Sequence, residues 1–158
     1  MNKDKIKKVI SIALLIMWMG LIFYFSQQDA TDSSSLSNGF IATIYSFITG
    51  KEATLEVLEK YSFIVRKLAH FSVYFVFGLL SFNTMYQFKT KHKYSYAFLI
   101  SFIYSISDEI HQIFIPGRAG QIRDVLIDSS GALLAILICY SINYLILNVK
   151  NKRKKEQN

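Results

Sequence analysis

Four stretches of the chain are apolar over the length needed to cross a bilayer: Val9–Phe25, Leu68–Tyr86, Tyr94–Phe114 and Val125–Leu147. A spanning helix needs roughly 20 mostly apolar residues. This pattern predicts an all-α integral membrane protein with four transmembrane helices. It forms one domain over residues 1–158, with a basic tail at 148–158. Lysines precede the first stretch, as in a signal peptide. Its apolar run is longer than the usual ~7–15-residue signal core, and no small-x-small site follows it. An uncleaved first span is therefore expected.

The long loop at 26–67 has its own pattern. SQQDATDSSS is polar and reads as a turn region. Leu36, Phe40, Ile41, Ile44, Phe47 and Ile48 then recur at helical spacing. Gly50 is placed to end that helix. Leu55, Leu58, Ser62 and Val65 give a weaker stripe leading into the second span. Two short amphipathic helices on the membrane surface fit this pattern. They act either as a lid over an outer site or as passive interfacial packing.

Composition agrees with a membrane protein. The chain is 52% hydrophobic and 18% charged, whereas soluble domains carry about a quarter charged residues. One cysteine, Cys139, excludes a disulfide framework or a cysteine-rich metal site; lying mid-span, it reads as a small apolar filler. The net charge of +7 is explained by topology. The N-terminus, the loop at 87–93 and the C-terminal tail together hold 12 of the 18 Lys and Arg residues. All three segments fall on one side of a four-span protein, which the positive-inside rule makes cytoplasmic. Both termini are then cytoplasmic, and the chain is a multi-pass protein of the cell membrane with membrane lipids as its surroundings. No basic-aromatic nucleic-acid motif, P-loop or dinucleotide turn is present, so no nucleic-acid partner and no cofactor is expected.

Polar residues near spans are costly and are functional hypotheses by default. The second span opens R-K-L-A-H-F-S-V-Y, which puts Arg66, His70 and Tyr74 on one face with Lys67 nearby. His70 is either a buried neutral histidine bonded to a neighbouring helix or a proton-transfer or ligand-binding group. The third span closes S-D-E-I-H-Q-I-F-I-P-G-R. Asp108, Glu109, His111 and Gln112 form a concentrated acid/base set there, and Pro116–Gly117 turns the chain. The fourth opens R-D-V-L-I-D-S-S-G. Asp124 serves as a helix N-cap or as a site carboxylate. Asp128, one turn deeper, needs a partner such as Arg118, Arg123 or His70, or a proton. Gly131 permits close helix packing. Ser26 and Gln27, ending the first span, stand at the same level.

All of these lie on the outer side. The N-termini of spans two and four point there, beside Arg66, Lys67, Arg118 and Arg123. Positive helix ends with basic side chains favour an anion, and phosphate most naturally. A metal site of His70, His111, Glu109 and Asp124 is the weaker reading, because this spacing matches no ligand pattern. No metal is therefore expected.

In order along the chain, F-S-Q-Q, R-K-L-A-H-F-x-x-Y, S-D-E-I-H-Q-I-F-I-P-G-R and R-D-V-L-I-D-x-x-G resemble the VanZ-like family of bacterial membrane proteins. The resemblance carries over Lys67, His70, Tyr74, Glu109, Gln112, Arg118, Asp124 and Gly131. At Asp128 the pattern also accepts Asn. The founding member of the family is associated with teicoplanin resistance. The resemblance therefore implies a bacterial cell-envelope protein that protects against lipoglycopeptides. It would do so by binding the antibiotic or a lipid-linked, phosphate-bearing cell-wall precursor.

In that reading Lys67, Tyr74, Gln112, Arg118 and Arg123 hold the ligand. Ser26, Gln27, Asp108 and Asp128 support them. The alternative is an integral-membrane enzyme modifying a lipid headgroup at the outer leaflet. His70 and Glu109 would then be its acid/base pair, with Asp124 orienting. A transporter is disfavoured, because spans two and four are nearly apolar towards the cytoplasm except for Asn83 and Asn143. A purely structural partner-binding bundle is the remaining class.

Overall fold

The computed structural model describes residues 3–156 as five α-helices: α1 (Lys3–Ser26), α2 (Ala30–Thr49), α3 (Leu55–Gln87), α4 (Lys93–Gln112) and α5 (Ile122–Glu156). Their ends follow from local chemistry. The Asp29 side chain accepts the backbone N–H groups of Thr31 and Asp32 and so caps α2. At the other end Gly50 takes the left-handed conformation expected of a helix stop, with φ 68°. The Thr54 hydroxyl accepts the Val57 N–H and starts α3.

Three boundaries differ from the sequence reading. The polar stretch read as a turn region is helical from Ala30 onward, as the first part of α2, because Asp29 caps it. The weak stripe at 55–65 is not a separate surface helix. It is the first part of α3, because no glycine or proline lies between Thr54 and His70 to interrupt it. At 33 residues α3 is about 50 Å long, well beyond the ~30 Å hydrocarbon core. The basic C-terminal segment likewise continues α5 as helix to Glu156.

Among the described residues, three helices are long and apolar enough to cross a membrane: Lys3–Ser26, Leu55–Gln87 and Ile122–Arg153. The expected third span, α4, is not among them. It has the length, at 20 residues, but Ser101, Ser105, Asp108, Glu109 and Gln112 lower its hydropathy, and all five are buried.

Helix α3 is the hub and touches all four others, while α2 packs on α3 alone. Leu15, Ile22, Tyr74 and Phe77 form the main core, with Trp18, Val73 and Tyr104 packed around them. Three long-range bonds tie α1 into this core. The Trp18 indole donates to the Val73 carbonyl at 3.1 Å, the Tyr104 hydroxyl to the Met19 carbonyl at 2.7 Å, and the Thr84 hydroxyl to the Ser11 carbonyl at 3.2 Å. Tyr104→Phe removes one such bond with little change of shape and is expected to cost about 1 kcal/mol. Thermal unfolding in detergent would read this as a modest fall in midpoint with an unchanged elution profile.

Helices α3 and α5 approach backbone to backbone. A Cβ on Gly78 would stand 2.7 Å from the Ala132 carbonyl oxygen, and one on Gly131 would collide with the Phe71 carbonyl. The expectation that Gly131 permits close packing therefore holds, and Gly78 is its counterpart on the facing helix.

Candidate polar site at one end of the bundle

The polar residues singled out in the sequence converge where α1 ends, α4 ends and α5 begins, around the middle of α3. The chain between α4 and α5 makes this possible. Gly117, at φ 72°, turns the chain beside Ala30. Gly120 lies so close to α4 that a Cβ there would stand 2.5 Å from the Glu109 carbonyl oxygen. This loop forms a strap across the end of α4. It is held there by the Gln121 backbone N–H, which donates to Glu109 Oε2 at 2.8 Å. Arg118 reaches back from the strap, and its Nη1 donates to Gln112 Oε1 at 3.3 Å.

Four carboxylates, Asp108, Glu109, Asp124 and Asp128, are buried between the helices. Lys67 Nζ donates to Asp124 Oδ1 at 2.5 Å, joining α3 to α5. One turn deeper, His70 Nδ1 lies 3.3 Å from Asp128 Oδ1. Asp128 is fully buried, yet neither of its oxygens meets a donor in hydrogen-bond geometry. Glu109 Oε1 and the Tyr74 hydroxyl are also buried without a partner. Buried polar atoms are satisfied in the great majority of cases, so several orphans at one level mark a place built for something further. Ligand atoms of His70, Glu109 and Asp128 all lie within 4.8 Å of one another.

Two cavities flank this cluster. The larger, about 270 Å³, is mostly apolar; α2 covers it with Ser33, Leu36 and Ser37, and Tyr74 and Asp108 line its inner wall. The smaller, about 190 Å³, is mainly polar and includes Lys67, Gln121 and Asp124. Ser33, Arg66, His70, Gln112 and Arg118 line both. Burial pushes the Arg118 pKa down, and the Asp108 carboxylate pulls against that shift; a guanidinium stays protonated regardless. The shared wall therefore carries two cations, Arg66 and Arg118.

Most of the sequence-derived set assembles here: Ser26, Lys67, His70, Tyr74, Asp108, Glu109, Gln112, Arg118, Asp124 and Asp128. Two members stand apart. Arg123 lies over the Phe63 ring at 5.0 Å and lines neither cavity. Gln27 is exposed, and its neighbour Gln28 lines the larger cavity. The weaker metal set does not assemble either. His111 packs at a tilt against Phe23, with ring centroids 4.7 Å apart, and Asp124 is taken by Lys67. Arg66, one of the basic residues the sequence places beside the positive helix ends, lines both cavities, and Ser33 is a lining residue the sequence does not single out. Arg66 carried a signal, since it shares the helix face of His70. Ser33 carried none, because α2 is placed by tertiary packing.

The VanZ/LLP1 family model matches residues 11–146. No curated protein sequence and no solved structure shows significant similarity to the chain.

Proposed function

The chain belongs to the VanZ/LLP1 family, and on that basis we propose that it is a multi-pass bacterial membrane protein with an amphiphile-binding site at its outer face. The ligand is a lipid-linked, phosphate-bearing cell-wall precursor or a lipoglycopeptide antibiotic, and binding protects against teicoplanin-type drugs. One observation carries this reading. An apolar cavity and a polar cavity share a wall bearing Arg66, His70 and Arg118. An amphiphile needs that combination: a tail beside apolar side chains and an anionic head beside guanidinium groups.

In a teicoplanin-sensitive Gram-positive host, expression of wild type is expected to raise teicoplanin tolerance and leave tolerance of an unrelated drug unchanged. Arg118→Gln and Glu109→Ala, at membrane levels matched by immunoblot, are expected to lose the effect. Protection by both variants equal to wild type would remove the site from the mechanism. No protection by wild type would remove the resistance role.

Four spans with both termini cytoplasmic remain the proposed topology. The outward face of α4 supports it: Leu99, Ile103, Ile106 and Ile110 are exposed at helical spacing, an apolar stripe suited to lipid although the helix as a whole is not apolar. With Cys139 replaced by serine, Ala119→Cys is expected to react with a membrane-impermeant maleimide in intact cells. A cysteine at Lys91 is expected to react only after lysis. The reverse pattern would invert the topology.

The second reading is a lipid-headgroup enzyme, and the His70–Asp128 contact beside the unpaired Glu109 oxygen favours it. His70 and Glu109 would then move protons to and from the headgroup while Arg118 held phosphate. Lipid mass spectrometry would show a product present with wild type and missing with Glu109→Ala.

A further inference from the structure

We propose that His70, Glu109 and Asp128 form a binding site for one divalent transition-metal ion of the Zn²⁺ or Mn²⁺ class. The three residues come from α3, α4 and α5, and their ligand atoms all lie within 4.8 Å of one another. Among the described residues, no lysine or arginine forms an ion pair with Glu109 or Asp128. Of the cations lining the adjoining cavities, Lys67 pairs with Asp124 and Arg118 donates to Gln112. Asp128 is fully buried; His70 Nδ1, itself one of the three, lies 3.3 Å from Oδ1, neither oxygen accepts a hydrogen bond, and Glu109 is 4% exposed with one oxygen unpartnered. Buried carboxylates that lack a charge partner are stable when they coordinate a metal.

An independent orphan stands beside them. The Tyr74 hydroxyl, on a side chain 1% exposed, has no partner and lies on the wall of the adjoining cavity. His70 lines the same cavity, and in the proposed site this hydroxyl donates to a water or ligand oxygen on the ion.

The donor set selects the ion. One imidazole and two carboxylates suit Zn²⁺ and Mn²⁺, and the absence of thiolate or thioether ligands disfavours Cu⁺. A dication beside a neutral imidazole also balances the two carboxylate charges. His70 lines both cavities, so the ion has an entry path and a side open to solvent or ligand. The site extends the proposed function without depending on it, because metal content is read on the resting protein.

The test uses the full chain purified in detergent, stripped with EDTA, incubated with Zn²⁺ or Mn²⁺ and desalted. Inductively coupled plasma mass spectrometry is expected to find one ion per chain in wild type, and the thermal midpoint is expected to rise on loading. Asp128→Asn and Glu109→Gln, tested separately in case one fails to fold, are expected to lose at least nine-tenths of the bound metal and the thermal shift. Glu59→Gln, an exposed carboxylate far along α3, should keep both. Wild type that retains no metal, with the carboxylates sharing a proton instead, overturns the proposal. Retention by folded Asp128→Asn or Glu109→Gln equal to wild type overturns it as well.

Discussion

Lys67→Met is expected to cost the folded protein about 3–5 kcal/mol, because it leaves Asp124 as an uncompensated buried charge. The pair is sheltered, with side-chain exposures of 17% for Lys67 and 7% for Asp124. Solvent therefore does little to soften the loss. The same physics predicts a rescue. Lys67→Met combined with Asp124→Leu removes both charges at once, and buried ion pairs replaced by apolar residues of similar volume are often neutral or better. Unfolding of all three proteins in detergent, compared as a double-mutant cycle, checks this. A single variant as stable as wild type would show that water reaches Asp124 freely. A double variant as unstable as the single would show that packing, not charge, is what Lys67 supplies.

The second large effect is steric. Gly131→Ala is expected to destabilise by about 2–3 kcal/mol, since the added methyl meets the Phe71 backbone and can be accommodated only by separating two helices. Gly78→Ala should act similarly through Ala132. Gly20→Ala and Gly39→Ala are the matched controls. Nothing lies within 4 Å of a Cβ at either position, and alanine's better helix propensity favours them by up to about 1 kcal/mol. Thermal stability by fluorescence-detected size exclusion would separate the two pairs, and equal behaviour of all four would refute the close approach of α3 and α5.

Much of this was legible in the chain itself. Apolar blocks located α1, the inner part of α3, and α5. Spacing put Arg66, His70 and Tyr74 on one face. Gly50 ended α2 as expected. Gly131 signalled a close crossing because a glycine inside an apolar helix has few other uses. What stayed hidden depended on tertiary packing. Whether residues 55–65 formed a separate helix turned on the lack of a breaker, a weaker signal than a change in amphipathic pattern. Gln27 and Gln28 are adjacent and identical, so only the rotation of α1 and the turn after it decides which faces the cavity. Arg123 matched an anion-binding role by type and position but lies on Phe63 instead. The partner for Asp128 was named as one of three candidates, and packing selected His70. The pairing of Gln121 with Glu109 uses a backbone N–H, which no side-chain pattern reveals.

The strap has a consequence for biogenesis. Chain synthesis delivers α3 and α4 before residues 113–121 and α5 exist. Until then Glu109 lacks the Gln121 amide, Lys67 lacks Asp124 and His70 lacks Asp128. Glu109, Lys67 and His70 thus lack these partners in any chain that ends before residue 113, and only arrival of the last helix supplies them. A chain cut short after α4 should therefore expose its immaturity to membrane proteases as unpaired charge. The completed protein hides the same charges inside the joint that closes it.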